Sequence, residues 1–143
     1  MEISLRAMNI DDAEPVATLS KQLGYEISVA QTKDNIAAVL LSRDNEAFVA
    51  MYENNMAGWI NITYSVLIES PSFCEIRGLI VDEKYRKNNI GKLLIGKAIE
   101  WSKEKHCTRL RVRCNVKRVD THSFYRHLGF AEKKEQKVFE INI

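Results

Sequence analysis

The sequence predicts a single mixed α/β domain over residues 1–143, with a mostly antiparallel sheet and helices on its faces. Three observations predict it. Short segments of period-two alternation recur along the chain, and segments of helical period separate them. No repeat, low-complexity tract or Pro/Gly-rich linker interrupts that order. With 143 residues, 45% of them apolar and 28% charged, the chain can bury one core and is too hydrophobic to stay disordered.

Ile3, Leu5 and Ala7 alternate with polar neighbours, so residues 3–7 read as a first strand. A helix carrying Val16, Leu19, Gln22 and Leu23 follows; Asp11 or Asp12 can cap it and Gly24 can stop it in a left-handed conformation. Thr32 can cap a second helix bearing Ile36, Val39 and Leu40. Residues 47–52 and 56–65 read as the strands of a hairpin around Glu53-Asn54-Asn55. Residues 73–81 form a third consecutive strand after the break at Ser70-Pro71-Ser72. Residues 90–105 make the best helix, with Ile90, Leu93, Leu94, Ala98 and Trp101 on one face. Residues 109–115 alternate, with Leu110, Val112 and Cys114 opposite Arg109, Arg111 and Arg113. A short helix over 119–128 ends at Gly129, and residues 131–143 hold one or two strands containing Val138, Phe139 and Ile141. The order is β-α-α-β-β-β-α-β-α-β(-β). The early hairpin requires antiparallel pairing, whereas strand-helix-strand in the second half requires a parallel pair.

The net charge of +2 is too small to point to nucleic acid or an anionic membrane as the main partner. The N-terminus lacks the basic and apolar regions of a signal peptide, and no apolar run approaches the ~18 residues of a membrane helix. Cys74, Cys107 and Cys114 are odd in number and form no CxxC pair, which fits a reducing compartment. His106, His122 and His127 supply no zinc-ligand spacing with them, so no metal is expected. The expectation is a soluble, cytoplasmic protein.

The segment from Val81 to Lys92 joins the strongest strand to the strongest helix. A helix start offers unpaired N–H groups and partial positive charge, which suit a phosphate. Arg86, Lys87 and Lys92 add full charge, Asn89 tolerates a left-handed backbone, and Gly91 permits close approach of a ligand. A plain basic loop before a capped helix would look similar. The P-loop and dinucleotide patterns are both absent.

Read in order, Leu79-Ile80-Val81, Arg86-x-x-Asn89-x-Gly91, Asn115, and Phe124-Tyr125-x-x-Leu128-Gly129-Phe130 resemble the GCN5-related N-acetyltransferase (GNAT) superfamily. The family turn is Arg/Gln-x-x-Gly-x-Gly/Ala, and this sequence departs from it with Asn89 at the first glycine. The resemblance is good over residues 73–130 and rests on element order elsewhere. Asn115-Val116-Lys117-Arg118-x-Asp120-x-His122-x-Phe124-Tyr125 looks more narrowly like the bacterial branch of small-amine acetyltransferases that includes aminoalkylphosphonate N-acetyltransferase. The resemblance implies roughly six to seven strands and about four helices.

It also implies acetyl-CoA as the acyl donor. Its pyrophosphate would sit on Arg86, Lys87, Asn88, Asn89, Ile90, Gly91 and Lys92, and its pantetheine along Leu79, Ile80 and Val81. A backbone N–H of Leu79 or Ile80 would stabilise the developing oxyanion, with Gly78 supplying the irregularity that frees the amides. Asn115 would contact the cofactor or a water near it, although a strand-ending Asn fits equally; His122 would contact cofactor or substrate, although a helix-surface His is more often structural. Tyr125 would give the leaving thiolate a proton or a hydrogen bond; the plain alternative is a packed aromatic.

Glu75 is the candidate base, directly or through water. Plain alternation puts it on the face of Arg77, Leu79 and Val81, and a Glu75–Arg77 ion pair without catalytic part is the alternative. Tyr25, in the Leu23–Glu26 segment, and Trp59 are candidate lid and floor of the acceptor pocket. The Arg109, Arg111, Arg113 row is either a solvated face or dimer rim, or an anion site for an acidic acceptor. The resemblance thus implies acetyl transfer to a small-molecule amine, with a homodimer possible. A protein or peptide N-acetyltransferase and a non-catalytic acyl-CoA-binding module stay open.

Overall fold

Strand β1 (Ile3–Ala7) forms one edge of a five-stranded sheet ordered β1-β2-β3-β4-β5. The other strands are β2 (Asn45–Tyr52), β3 (Asn55–Ser65), β4 (Phe73–Val81) and β5 (Leu110–Val112). The first four pair antiparallel in sequence, and β5 joins β4 in parallel. This computed structural model describes residues 1–143, and the chain divides into two compact units, Met1–Val112 and Arg113–Ile143.

In the first unit, α1 (Ala13–Lys21) and α2 (Val29–Leu41) cover one face of the sheet. Val16, Leu19 and Ile36 of these helices form a core with Ala47, Val49 and Ile80. Burying such aliphatic side chains stabilises by about 1.5–3 kcal/mol each. α3 (Ile90–Glu104) lies against the other face, where Gly58 admits Leu94 and Ile90. Its buried stripe is Ile90, Leu94, Ile95, Ala98 and Trp101. Leu93, expected on that stripe, is exposed, because the stripe is rotated towards Gly91, Ile95 and Ser102.

Two helix starts differ from the sequence expectation. Asn9, not an aspartate, caps the 3-10 turn Ile10–Asp12 that leads into α1. Asp12 instead accepts the Asn9 N–H at 2.8 Å and takes two bonds from Arg6, at 2.8 and 2.7 Å. Burial disfavours the Asp12 carboxylate, but the Arg6 bonds outweigh it and hold its pKa below the usual value. Ser28 caps α2 by accepting the Gln31 N–H at 3.0 Å. Thr32, the expected cap, lies one turn inside and back-bonds to the Ser28 carbonyl.

The second unit contains α4 (Val119–His127), closed by Gly129 at φ 98°. The strands expected over residues 131–143 are not formed, so the sheet has five strands rather than six or seven. Residues 132–137 are charged at every position but Gln136, and no strand of this unit is available to pair with Val138–Ile143. Phe139 is 88% exposed.

Candidate cofactor and acceptor site

The turn before α3 has the conformation an anion cradle needs. Buried Tyr85 closes a 3-10 turn, Glu83–Tyr85, with its ring edge-on to Tyr52. Arg86 is extended, then Lys87 (φ 68°) and Asn89 (φ 61°, ψ 18°) are left-handed. Asn88 steadies the bend by donating from Nδ2 to the carbonyls of Tyr85 and Arg86. The Asn89 carbonyl receives the Leu93 N–H at 3.0 Å, but its side chain caps nothing. The Ile90, Gly91 and Lys92 amides therefore have no intrahelical acceptor. No acidic residue lies in the first turn, and Arg86, Lys87, Asn88, Asn89 and Lys92 are exposed. Asn89 adopts the backbone that the family glycine would provide.

Beside this turn, β4 parts from β5. The parallel ladder has three pairs, Cys74 with Leu110, Glu75 with Arg111, and Ile76 with Val112. It stops short of the expected Asn115 because β4 bulges next. Asn61 of β3 pairs with Gly78 and Ile62 pairs with Ile76, so Arg77 is the extra residue. Cys74 N–H donates to Arg109 at 3.0 Å, towards β5, whereas Asp82 N–H donates to Ala57 at 2.8 Å, towards β3. Alternation from these two anchors turns the Leu79 and Val81 amides towards the edge β5 has left, and Gly78 and Ile80 towards β3. Of the two expected oxyanion donors, the Leu79 amide faces the edge that β5 has left and the Ile80 amide faces β3. Ile80 is instead buried in the core.

The bulge also corrects the faces of β4. Glu75, opposite Thr63, shares its face with Gly78 and Ile80, opposite Asn61 and Trp59. Leu79 and Val81, expected beside Glu75, fall on the α3 face. Glu75 is 3% exposed, with Arg77 Nη1 at 2.8 Å from its Oε1. The Trp59 ring lies over Gly78, where a Cβ would come within 2.9 Å of it. Gly78 thus admits the indole as well as ending the regular ladder.

The second unit holds the remaining candidates. The Asn115 Oδ1 accepts the Lys117 N–H at 2.9 Å, and the Asn115 carbonyl lies 2.9 Å from His122 Nε2. Both residues thereby fasten the turn into α4, and His122 is a clasp to backbone. Tyr125 is buried between edge-on contacts with Phe124 and Phe130, at 5.2 and 5.4 Å between ring centroids. Burial, with the Cys114 thiol beside it, pushes its pKa above the ordinary value, and Arg118 offsets this in part. The phenol stays protonated at neutral pH.

Tyr25 is exposed in the α1–α2 connection, where Gly24 (φ 86°) closes α1. A cleft of about 300 Å³ lined by Glu14, Leu19, Met56, Asp82 and Tyr85 opens between α1 and the 3-10 turn. Sequence reasoning missed the division of labour in the arginine row. Arg109 Nη2 donates to the Pro71 carbonyl at 2.7 Å, while Arg111 stacks on Phe73 with Cζ 4.0 Å from the ring centroid. The available signal was Phe73 at the start of β4, opposite an arginine of period two.

Comparison with known proteins places the chain in a family. The chain is 25% identical to the aminoalkylphosphonate N-acetyltransferase of Salmonella typhimurium, over 90% of this chain and 84% of that protein. It is 31% identical to an uncharacterized N-acetyltransferase of Methanocaldococcus jannaschii, over 66% of this chain, and spans 43% of that protein's length. Among solved structures it shares its fold with the aminoglycoside acetyltransferase AAC(6')-Iy in complex with the bisubstrate analog CoA-S-monomethyl-acetylneamine, at a TM-score of 0.87 and 18% identity over 100% of both chains. The model of the Acetyltransferase (GNAT) family matches residues 10–130, and the chain belongs to that family.

Proposed function

We propose that this chain transfers an acetyl group from acetyl-CoA to the primary amine of a small-molecule acceptor, by direct attack in a ternary complex. One observation carries the proposal. The uncapped amides of α3 behind a left-handed Asn89 follow directly on a strand whose Leu79 and Val81 amides turn to a vacated edge. An anion cradle beside free strand amides suits a phosphate-bearing, amide-bearing ligand such as CoA. The family match crosses both compact units, which supports reading residues 1–143 as one functional domain.

The roles follow from the chemistry of each group. The Arg86–Lys92 turn receives the pyrophosphate, and the Leu79 and Val81 amides hold the pantetheine along the strand edge, with Ile80 between them anchoring β4 in the core. Glu75 takes a proton from the acceptor ammonium, directly or through water, so that the amine can attack. The Leu79 N–H stabilises the charge that develops on the thioester oxygen, an effect worth about 100- to 1,000-fold in rate for one preorganised donor. Tyr125 donates to the departing sulfur and passes on the proton that the new amide nitrogen must lose. Asn115 and His122 shape the turn that carries Tyr125. Tyr25 and Trp59 border the acceptor.

A small-molecule acceptor is favoured by the named activities of the Salmonella relative and of AAC(6')-Iy. Three free thiols fit a cytoplasmic enzyme, and exposed Val138, Phe139 and Ile141 offer a homodimer contact that sedimentation would detect. No helix is long and apolar enough to cross a membrane. The test is release of free CoA from acetyl-CoA across amine and peptide panels. Turnover with small amines supports the reading. Turnover with peptides alone, or tight CoA binding without any turnover, replaces it with a protein acetyltransferase or a binding module.

A further inference from the structure

Gln22 is a polar residue at the end of an apolar stripe. It closes α1 beside Val16, Leu19 and Leu23, and its side chain is half-buried. Both ends of its amide are used, and neither within the helix. Nε2 donates to Asp82 Oδ1 at 3.2 Å, and Oε1 accepts the Glu83 N–H at 3.0 Å. The same Asp82 oxygen accepts the Lys84 N–H at 3.0 Å and so caps the 3-10 turn Glu83–Tyr85. Gln22 thus holds the first residues of the segment that runs into Arg86, across 60 residues of sequence.

Each end of this bridge carries a part of the site. On one side, the connection from α1 to α2 hangs from the last turn of α1. The Leu23 and Tyr25 amides donate to the Ser20 carbonyl, and the Gly24 amide donates to that of Lys21. The backbone then bends at Gly24 (φ 86°), and Tyr25 stands exposed. On the other side, Asp82–Tyr85 leads without a break into Arg86 and the left-handed Lys87 and Asn89. A cleft of about 300 Å³ keeps α1 apart from this turn along Pro15, Thr18 and Leu19. Past that gap the Gln22 amide links the two directly. A contiguous hydrogen-bonded link of this kind can carry coupling between sites.

We infer that Gln22 is a positioning residue that couples the two ligand sites: CoA bound on the Arg86–Lys92 turn steadies the Leu23–Tyr25 connection through the Gln22 amide. This inference rests on the acetyltransferase reading above, which assigns the turn to CoA and Tyr25 to the acceptor. A phosphate held on the turn keeps Asp82 and the Glu83 N–H in place. The end of α1 then opens less often, because Gln22 finds its partners already fixed. Linkage makes the effect reciprocal, so an acceptor resting on Tyr25 raises CoA affinity by the same factor. One side-chain hydrogen bond is worth about two- to tenfold in such an equilibrium.

Amide hydrogen exchange of the full chain, with and without saturating CoA, tests this coupling. CoA should slow exchange over residues 20–26 by about two- to tenfold and leave residues 36–41 of α2 unchanged. Gln22→Met keeps the length of the side chain and removes both bonds. Gln22→Glu keeps an acceptor for the Glu83 N–H but sets a second carboxylate against Asp82. Both variants should still bind CoA, and in both the slowing over residues 20–26 should disappear. Undiminished slowing in either variant overturns the inference, as does CoA binding to the wild type without slowing there. Equal slowing over residues 36–41 would mark general stabilisation by a ligand and also overturns it. Loss of CoA binding in both variants would make Gln22 a support of the turn alone, and overturns the coupling. Absence of CoA binding to the wild type, measured by calorimetry, overturns the acetyltransferase reading and this inference with it.

Discussion

Arg77, the extra residue of the β4 bulge, donates from Nη1 to Oε1 of Glu75 at 2.8 Å. An exposed guanidinium thus holds a carboxylate that is almost wholly buried, at the point where β4 leaves β5. A buried carboxylate needs such a partner. Glu75→Gln keeps the shape and removes the proposed base. Its kcat should fall about tenfold, below the roughly 10²- to 10⁴-fold typical of a general base because water can substitute, with CoA affinity within twofold. Arg77→Gln should lower kcat/KM less and cost about 1 kcal/mol of stability, since the guanidinium end is solvent-screened. A Glu75→Gln enzyme with full kcat would remove Glu75 from the chemistry.

Tyr125 is protonated and buried, so losing its hydroxyl should affect the leaving group and little else. Tyr125→Phe preserves the contacts with Phe124 and Phe130. Its kcat should fall about 10²-fold with an unchanged CoA dissociation constant. Equal losses in turnover and affinity would instead mark a packing residue.

Burial raises the Cys74 thiol from 9.0 to about 11, and the Tyr125 pKa is raised from 10.0 as well. For both groups the folded pKa exceeds the unfolded one. Their contribution is complete below the unfolded values and is lost as pH rises through the folded ones. Thermal unfolding should therefore show a falling Tm between about pH 9 and 11, with Cys74 accounting for ~2 kcal/mol. Cys74→Ala should flatten that fall, and an unchanged slope would contradict the assignment.

A Cβ at Gly78 would come within 2.9 Å of the Trp59 ring. Gly78→Ala should displace the indole, cost about 1–3 kcal/mol and raise the acceptor KM several-fold, with CoA affinity affected less. An unchanged acceptor KM would separate Trp59 from the acceptor site.

Much of this was legible in the sequence, and the exceptions share a cause. Strands β1 and β4 occupy the expected residues because period-two alternation is local. Asn89 was expected to tolerate a left-handed backbone and adopts one, since that tolerance belongs to the residue itself. The bulge at Arg77 was not legible, because it depends on how β3 pairs with β4. It reverses the faces after Ile76, and so moved Leu79 and Val81 away from Glu75 and turned Ile80 to β3. The Ser28 and Asn9 caps displaced Thr32 and the aspartates because several polar residues compete for each helix start. The C-terminal apolar alternation was real, but a strand also needs a partner.

Asn89 tests the cradle most directly, because its backbone at φ 61° is what orients the α3 amides. Glycine tolerates that conformation and a β-branched residue resists it. Calorimetric titration of CoA into the wild type, Asn89→Gly and Asn89→Val is the decisive measurement. The account expects CoA to bind the wild type, Asn89→Gly to bind equally or better, and Asn89→Val to lose affinity by at least tenfold. No binding to the wild type, or equal binding by all three, would contradict it.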